Sequence, residues 1–302
     1  MASTWSPVEK CNSEMSETFE KPISDLVKRG YRAVTQHLEQ EGPWLIFKWL
    51  SLIYLKTHLK DKQLRFHLDR RKGDETVAQL YDWLELHHIH CIARTFHTGA
   101  TLEPEVLGTL FVWPARSIEG DDGFDYGDSY LGRTILLRLG DIAFIAVLND
   151  SNMVRQYLDE DLQRIAGPLS SIQLRELMTR MAFVNIHLSE RSRFHSAFEN
   201  TYYKPHMPGV VLADGGYSIS AALPTMVSVE QVDPRILGEM LAFNLTGPIN
   251  RLLPLEQREP TISSMKDGRH SFIFGSEREF LTNPKLTDDE VNTSITPRFS
   301  KM

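Results

Sequence analysis

Apolar positions recur at helical spacing through the first third of the chain and at strand spacing through its middle. Trp44, Leu45, Phe47, Trp49, Leu50, Leu52, Ile53, Tyr54 and Leu55 cover every side of one helix, and a helix apolar all round belongs in a core. Pro43 suits its first turn. Upstream, Ser13 to Gly30 reads as a first helix capped by Ser13 or Asn12, with Glu14 and Glu17 at the positive end of its dipole. Pro22 predicts a kink or restart there. Downstream, Asp74 is placed to cap a third helix from about Glu75 to Thr95.

From Val106 the period shortens. Val106 to Trp113, Thr134 to Leu139 and Ile142 to Leu148 are β-rich, and Gly140-Asp141 joins the last two as a hairpin. Helices are predicted over Asn152 to Ile165 and Ser171 to Ser189, the second opened by Pro168 and Ser170. Gly209 to Ala213 and Tyr217 to Ala222 read as another hairpin across Asp214-Gly215-Gly216. The pattern predicts an α+β chain with a buried central helix, a helical N-terminal part and antiparallel hairpins in the middle and C-terminal parts. Its organisation reads as a leading segment 1–30, one body 31–253, and an irregular segment 254–302 with a frayed end.

Composition adds bounds. Apolar residues make up 41% and charged ones 24%, ordinary for a globular protein. The Trp44–Leu55 run is shorter than the roughly 20 residues a bilayer span needs, so no membrane partner is expected. Met1 to Glu20 lacks the basic start and apolar run of a secretory signal. Cys11 and Cys91 are the only cysteines, which fits a reducing cytoplasm. The net charge of −7 hides an asymmetry: Lys48, Lys56, Lys60, Lys62, Arg65, Arg70, Arg71 and Lys72 face only Asp61 and Asp69. That island carries +6, leaving −13 for the remainder. It can steer a polyanion to one face or form the solvated side of an amphipathic segment.

Cys11-Asn12-Ser13-Glu14-Met15, running into Phe19-Glu20-Lys21-Pro22-Ile23, resembles the last turn and terminal helix of an HNH endonuclease finger. Phe47 to Tyr54, His67 to Arg71, Gly140 to Ala143 and Asn185 to Leu188 extend the resemblance loosely to uncharacterised HNH-like bacterial proteins. By position, the resemblance makes Cys11 a zinc ligand and Asn12 the third motif residue at the catalytic metal. Val8 stands where a paired cysteine would be, and no His precedes Cys11. Without that His no water is activated, and a structural zinc lacks most of its four ligands. Either the finger is lost or the reading frame begins downstream of it. No resident cofactor is predicted; zinc or another divalent metal enters only if the finger is supplied. The resemblance implies a nucleic-acid-binding body, with DNA as partner, gripping through Lys56, Lys60, Lys62, Arg65, Arg70, Arg71 and Lys72 and cutting nothing.

Two rival readings come from other classes. One is a protein-interaction module whose basic island meets an acidic partner. The other is a metal-dependent hydrolase on His87, His90 and Cys91, which share one helical face at i, i+3 and i+4; the same side chains could instead pack between helices. The acidic stretch Glu119 to Asp128 fails EF-hand spacing and reads as an exposed loop. Arg191, Arg193 and His195, with Phe194, Phe198, Tyr202 and Tyr203, read as a core edge in preference to a stacking surface.

Overall fold

The apolar run at Trp44 forms α3 (Trp44–Asp61), after a π-helical turn Ser16–Glu20, α1 (Lys21–Lys28) and α2 (Tyr31–Glu41). The computed structural model describes residues 13–61, 71, 74–76, 86–117, 123–199, 216–268 and 270–282. Along α3, Ile46, Phe47, Leu50 and Tyr54 are wholly buried, each side chain contributing about 2 kcal/mol of apolar burial. Pro22 produces a local widening in place of a break. The Lys21 amide reaches back to the Ser16 carbonyl, a π-type bond that relaxes the turn just before the proline.

After α3 come α4 (His87–Ala93), the single turn α5 (Thr95–Thr98) and β1 (Thr101–Leu102), then β2 (Leu110–Pro114), β3 (Phe124–Ser129), β4 (Thr134–Leu139) and β5 (Ile142–Val147). Next are α6 (Met153–Gln163), α7 (Ser171–Ile186), β6 (Arg193–Glu199), β7 (Gly216–Ala222), α8 (Pro234–Leu252) and α9 (Leu255–Lys266). Two sheets result, one ordered β1-β7-β6 and one ordered β2-β5-β4-β3. The fold is α+β, and no helix among the described residues is long and apolar enough to cross a membrane.

The expected single body over 31–253 is instead two units. The first comprises Met1–Asp25, Gly42–Leu107 and Ser192–Leu223; the second comprises Leu26–Glu41, Gly108–Arg191 and Pro224–Met302. A chain that returns to each unit in three separate stretches has no single Pro- or Gly-rich linker to mark the division.

In the second unit, β4 and β5 form the expected hairpin, with Gly140 at φ 64° in its turn. Every residue of β5 is buried, and α7 packs on β3, β4 and β5. Gln173 opens α7, its side-chain oxygen accepting the Ser170 amide at 3.0 Å, while its amide donates to the Phe272 and Leu281 carbonyls. One turn on, the wholly buried Glu176 accepts the Ser271 hydroxyl and the Phe272 amide, each at 2.6 Å, and pairs with Arg180. These contacts hold residues 271–281 against α7.

Four expectations are corrected. The third helix does not begin at Glu75: Glu75 and Thr76 are non-helical, and the helix described in this stretch starts at His87. The acidic stretch is not all loop, since Phe124–Ser129 is a strand and buried Asp125 is clasped by Arg175 at 2.5–2.7 Å. The described antiparallel partner of β7 is β6, a strand the sequence reading missed, and Gly209 to Ala213 lie outside the described residues. The segment 254–302, expected to be irregular, contains α9, and a bridge joins Phe274 to Phe280. Internal Pro248 and Pro260 disguise α8 and α9 as broken pattern.

Candidate metal centre

The sequence His87-His88-Ile89-His90-Cys91-Ile92 alternates fates around one short helix. Ile89 and Ile92 are wholly buried and fix the inner side of α4. His88 turns toward β6, stacked on Phe194 with ring centroids 4.2 Å apart and planes 13° from parallel. That rotation leaves His87, His90 and Cys91 together on the outer side, the grouping their spacing predicts. One ligand atom from each lies within 4.8 Å of the other two. Of the described histidines, only His37, His187 and His270 belong to the second unit; the others, with Cys91, belong to the first.

The separations match a coordination sphere. With Zn–N of about 2.0 Å and Zn–S of about 2.3 Å, a tetrahedral angle sets nitrogen and sulfur about 3.5 Å apart. His87 Nε2 and Cys91 Sγ are 3.5 Å apart. The half-buried His90 completes the set, a ring nitrogen lying within 4.8 Å of the other two ligand atoms. Ser196 on β6 stands over the group, its Oγ 3.2 Å from His87 Nε2.

Electrostatics suit a ligand set for a borderline-soft ion. Burial pushes the His90 pKa below the ordinary imidazole range, with Arg94 and then His87 adding to the shift, so the ring is neutral near pH 7. Burial pushes the Cys91 thiol up, against the opposing pull of the Ser196 hydrogen bond and of Arg94. An ion bound here would displace the thiol proton. No carboxylate joins the three ligands among the described residues.

Ser196 and Arg94 escaped the sequence reading. On β6, Phe194 stacks on His88 and the exposed Ser196 reaches His87, so these two alternate positions share the side facing α4. That alternation was the available signal for Ser196. Arg94 was legible as the residue seven after His87 and three after Cys91, on the same helical face. His97, adjacent in sequence, points elsewhere and meets Glu14 at 3.5 Å.

The other predicted residues are only partly in view. Cys11, Asn12, Lys62, Arg65, Arg70 and Lys72 lie outside the described residues. Lys56, Lys60 and Arg71 are exposed. Lys56 reaches Glu20 at 3.6 Å with both side chains about half exposed, a pair worth little in water. Lys48 does not belong to the exposed island, because burial lowers its pKa. In the second unit, a shallow cleft of about 390 Å³ lies between Tyr31, Trp113, Pro114 and Ile165, and Tyr31 is the only ionisable residue lining it among the described residues. No protein-family model, curated protein or solved structure matches this chain.

Proposed function

We propose that this chain is a metal-dependent protein that binds a zinc-class divalent ion at His87, His90 and Cys91 and uses it as a Lewis acid in hydrolysis. The observation that carries the reading is the convergence of three ligand atoms within 4.8 Å, with nitrogen and sulfur already at a tetrahedral separation. Three protein ligands and a fourth position left for water or substrate is the ligand count of catalytic zinc sites, whereas structural sites are closed by four. A bound ion supplies polarisation of water or of a carbonyl or phosphoryl oxygen. The two imidazoles and the thiolate hold it, and the Ser196 hydroxyl is placed to hydrogen-bond whatever occupies the fourth position.

Elemental analysis of protein purified without a histidine tag is expected to give about one zinc per chain. His87→Ala, His90→Ala and Cys91→Ala should each weaken binding by more than about 100-fold, since outer partners alone are worth 10–100-fold. Absence of any transition metal, together with failure to take up added zinc, sinks the reading.

A second reading follows from Lys56 and Lys60, exposed one helical turn apart at the end of α3. Together with the HNH resemblance, they support nucleic-acid contact by the first unit without cleavage by a finger. Salt-dependent retention of DNA measures it.

A further inference from the structure

We infer that the fourth position of the His87–His90–Cys91 centre accepts a small oxyanion, phosphate or carboxylate, held jointly by the metal ion and the Arg94 guanidinium. The inference rests on the metal-binding reading and specifies the ligand class of that site.

Charge balance leads to it. A divalent ion held by two neutral imidazoles and one thiolate keeps a single positive charge. No described carboxylate joins the ligand set to cancel it. Arg94 adds a second positive charge on the same face, four residues from His90 and three from Cys91, near enough to act electrostatically on both. As the C-cap of α4 its backbone amide is already spent on the His90 and Ile92 carbonyls, so its position is fixed by the helix end. The Arg94 side chain is exposed. Two adjacent cations facing solvent, with a neutral hydroxyl from Ser196 beside them, call for an anion that brings oxygen lone pairs. A carboxylate or phosphate gives one oxygen to the metal and presents others to the guanidinium fork and to the Ser196 hydroxyl. A structural zinc would place a fourth protein ligand here, and Ser196 is a poor one.

Cobalt(II) substitution of the full chain tests this and separates the two failures. Cobalt bound at these ligands gives a thiolate-to-metal charge-transfer band together with visible ligand-field bands. Phosphate and acetate are titrated separately, at ionic strength held constant with perchlorate. The expected result is a saturable change in the visible bands with at least one of the two anions. Arg94→Ala should still bind cobalt but hold the anion about tenfold more weakly, with Arg94→Lys between them. Response to phosphate alone identifies a phosphoryl ligand, and response to acetate alone a carboxylate. A cobalt complex whose bands ignore both anions, or respond equally in Arg94→Ala, overturns the inference while leaving metal binding intact. No charge-transfer band at all overturns both.

Discussion

At the scale of single residues, the molecule places its titratable groups in two kinds of setting. His87 and Cys91 meet at 3.5 Å on an accessible face, where an ion can exchange for a proton. His270 is part-buried in the second unit, edge-on to Phe272 at 4.4 Å, and its buried Nε2 has no hydrogen-bond partner. Burial lowers the His270 pKa, only partly offset by Glu176. The folded chain therefore holds His270 neutral below the unfolded value of about 6.5. Between the folded pKa and that value the unfolded chain binds more protons, so stability falls as pH drops through this window and recovers as pH rises above it. Urea unfolding of His270→Asn is expected to show a flatter pH profile below about pH 6.5 than the parent chain. Equal slopes in the two proteins would remove His270 from the account.

At the scale of elements, close approach decides what substitution costs. Gly238 on α8 meets α9: a Cβ there would lie 2.4 Å from the Lys266 carbonyl oxygen. The obstacle is backbone, so the helices must part. Gly238→Ala is expected to destabilise by about 2 kcal/mol, the cost of overpacking a tight contact, although alanine is the better helix former. Thermal unfolding that moved upward would contradict this. The same helix pair shows where sequence legibility ends. α3 was readable because its apolar residues leave no polar face, and the β4–β5 hairpin because Gly140-Asp141 sits between two apolar runs. α8 and α9 were not, because internal Pro248 and Pro260 imitate breaks whose cost tertiary packing absorbs. The site divides likewise. The grouping of His87, His90 and Cys91 depends only on local helical geometry, whereas Ser196 joins them from more than a hundred residues away.

At the scale of the whole molecule, charge is segregated along the sequence. A chain of net charge −7 binds a polyanion only where it concentrates cations, and Lys56, Lys60 and Arg71 are the exposed described members of the +6 island. Retention of duplex DNA at about 50 mM salt is expected, with log K falling by about 0.9 per neutralised phosphate for each decade of salt. Charge reversal of Lys56, Lys60 and Arg71 together should lower that slope. Parent protein that retains no DNA at low salt would end the nucleic-acid reading and leave the metal centre untouched.

The pairing of β6 with β7 sets Ser196 opposite Ile219 and His195 opposite Ser220. Neighbouring residues of a strand face opposite ways, so a one-residue slip exchanges the two sides. Inserting a single codon ahead of Arg193 would bring His195 to the place of Ser196, turning an imidazole toward α4 in place of a hydroxyl. A metal ion held there as proposed would gain a fourth strong ligand and with it the closed shell of a structural zinc. On the proposed metal-binding reading, open and closed versions of the centre would stand one codon apart, set by chain length just before β6 with no change at His87, His90 or Cys91.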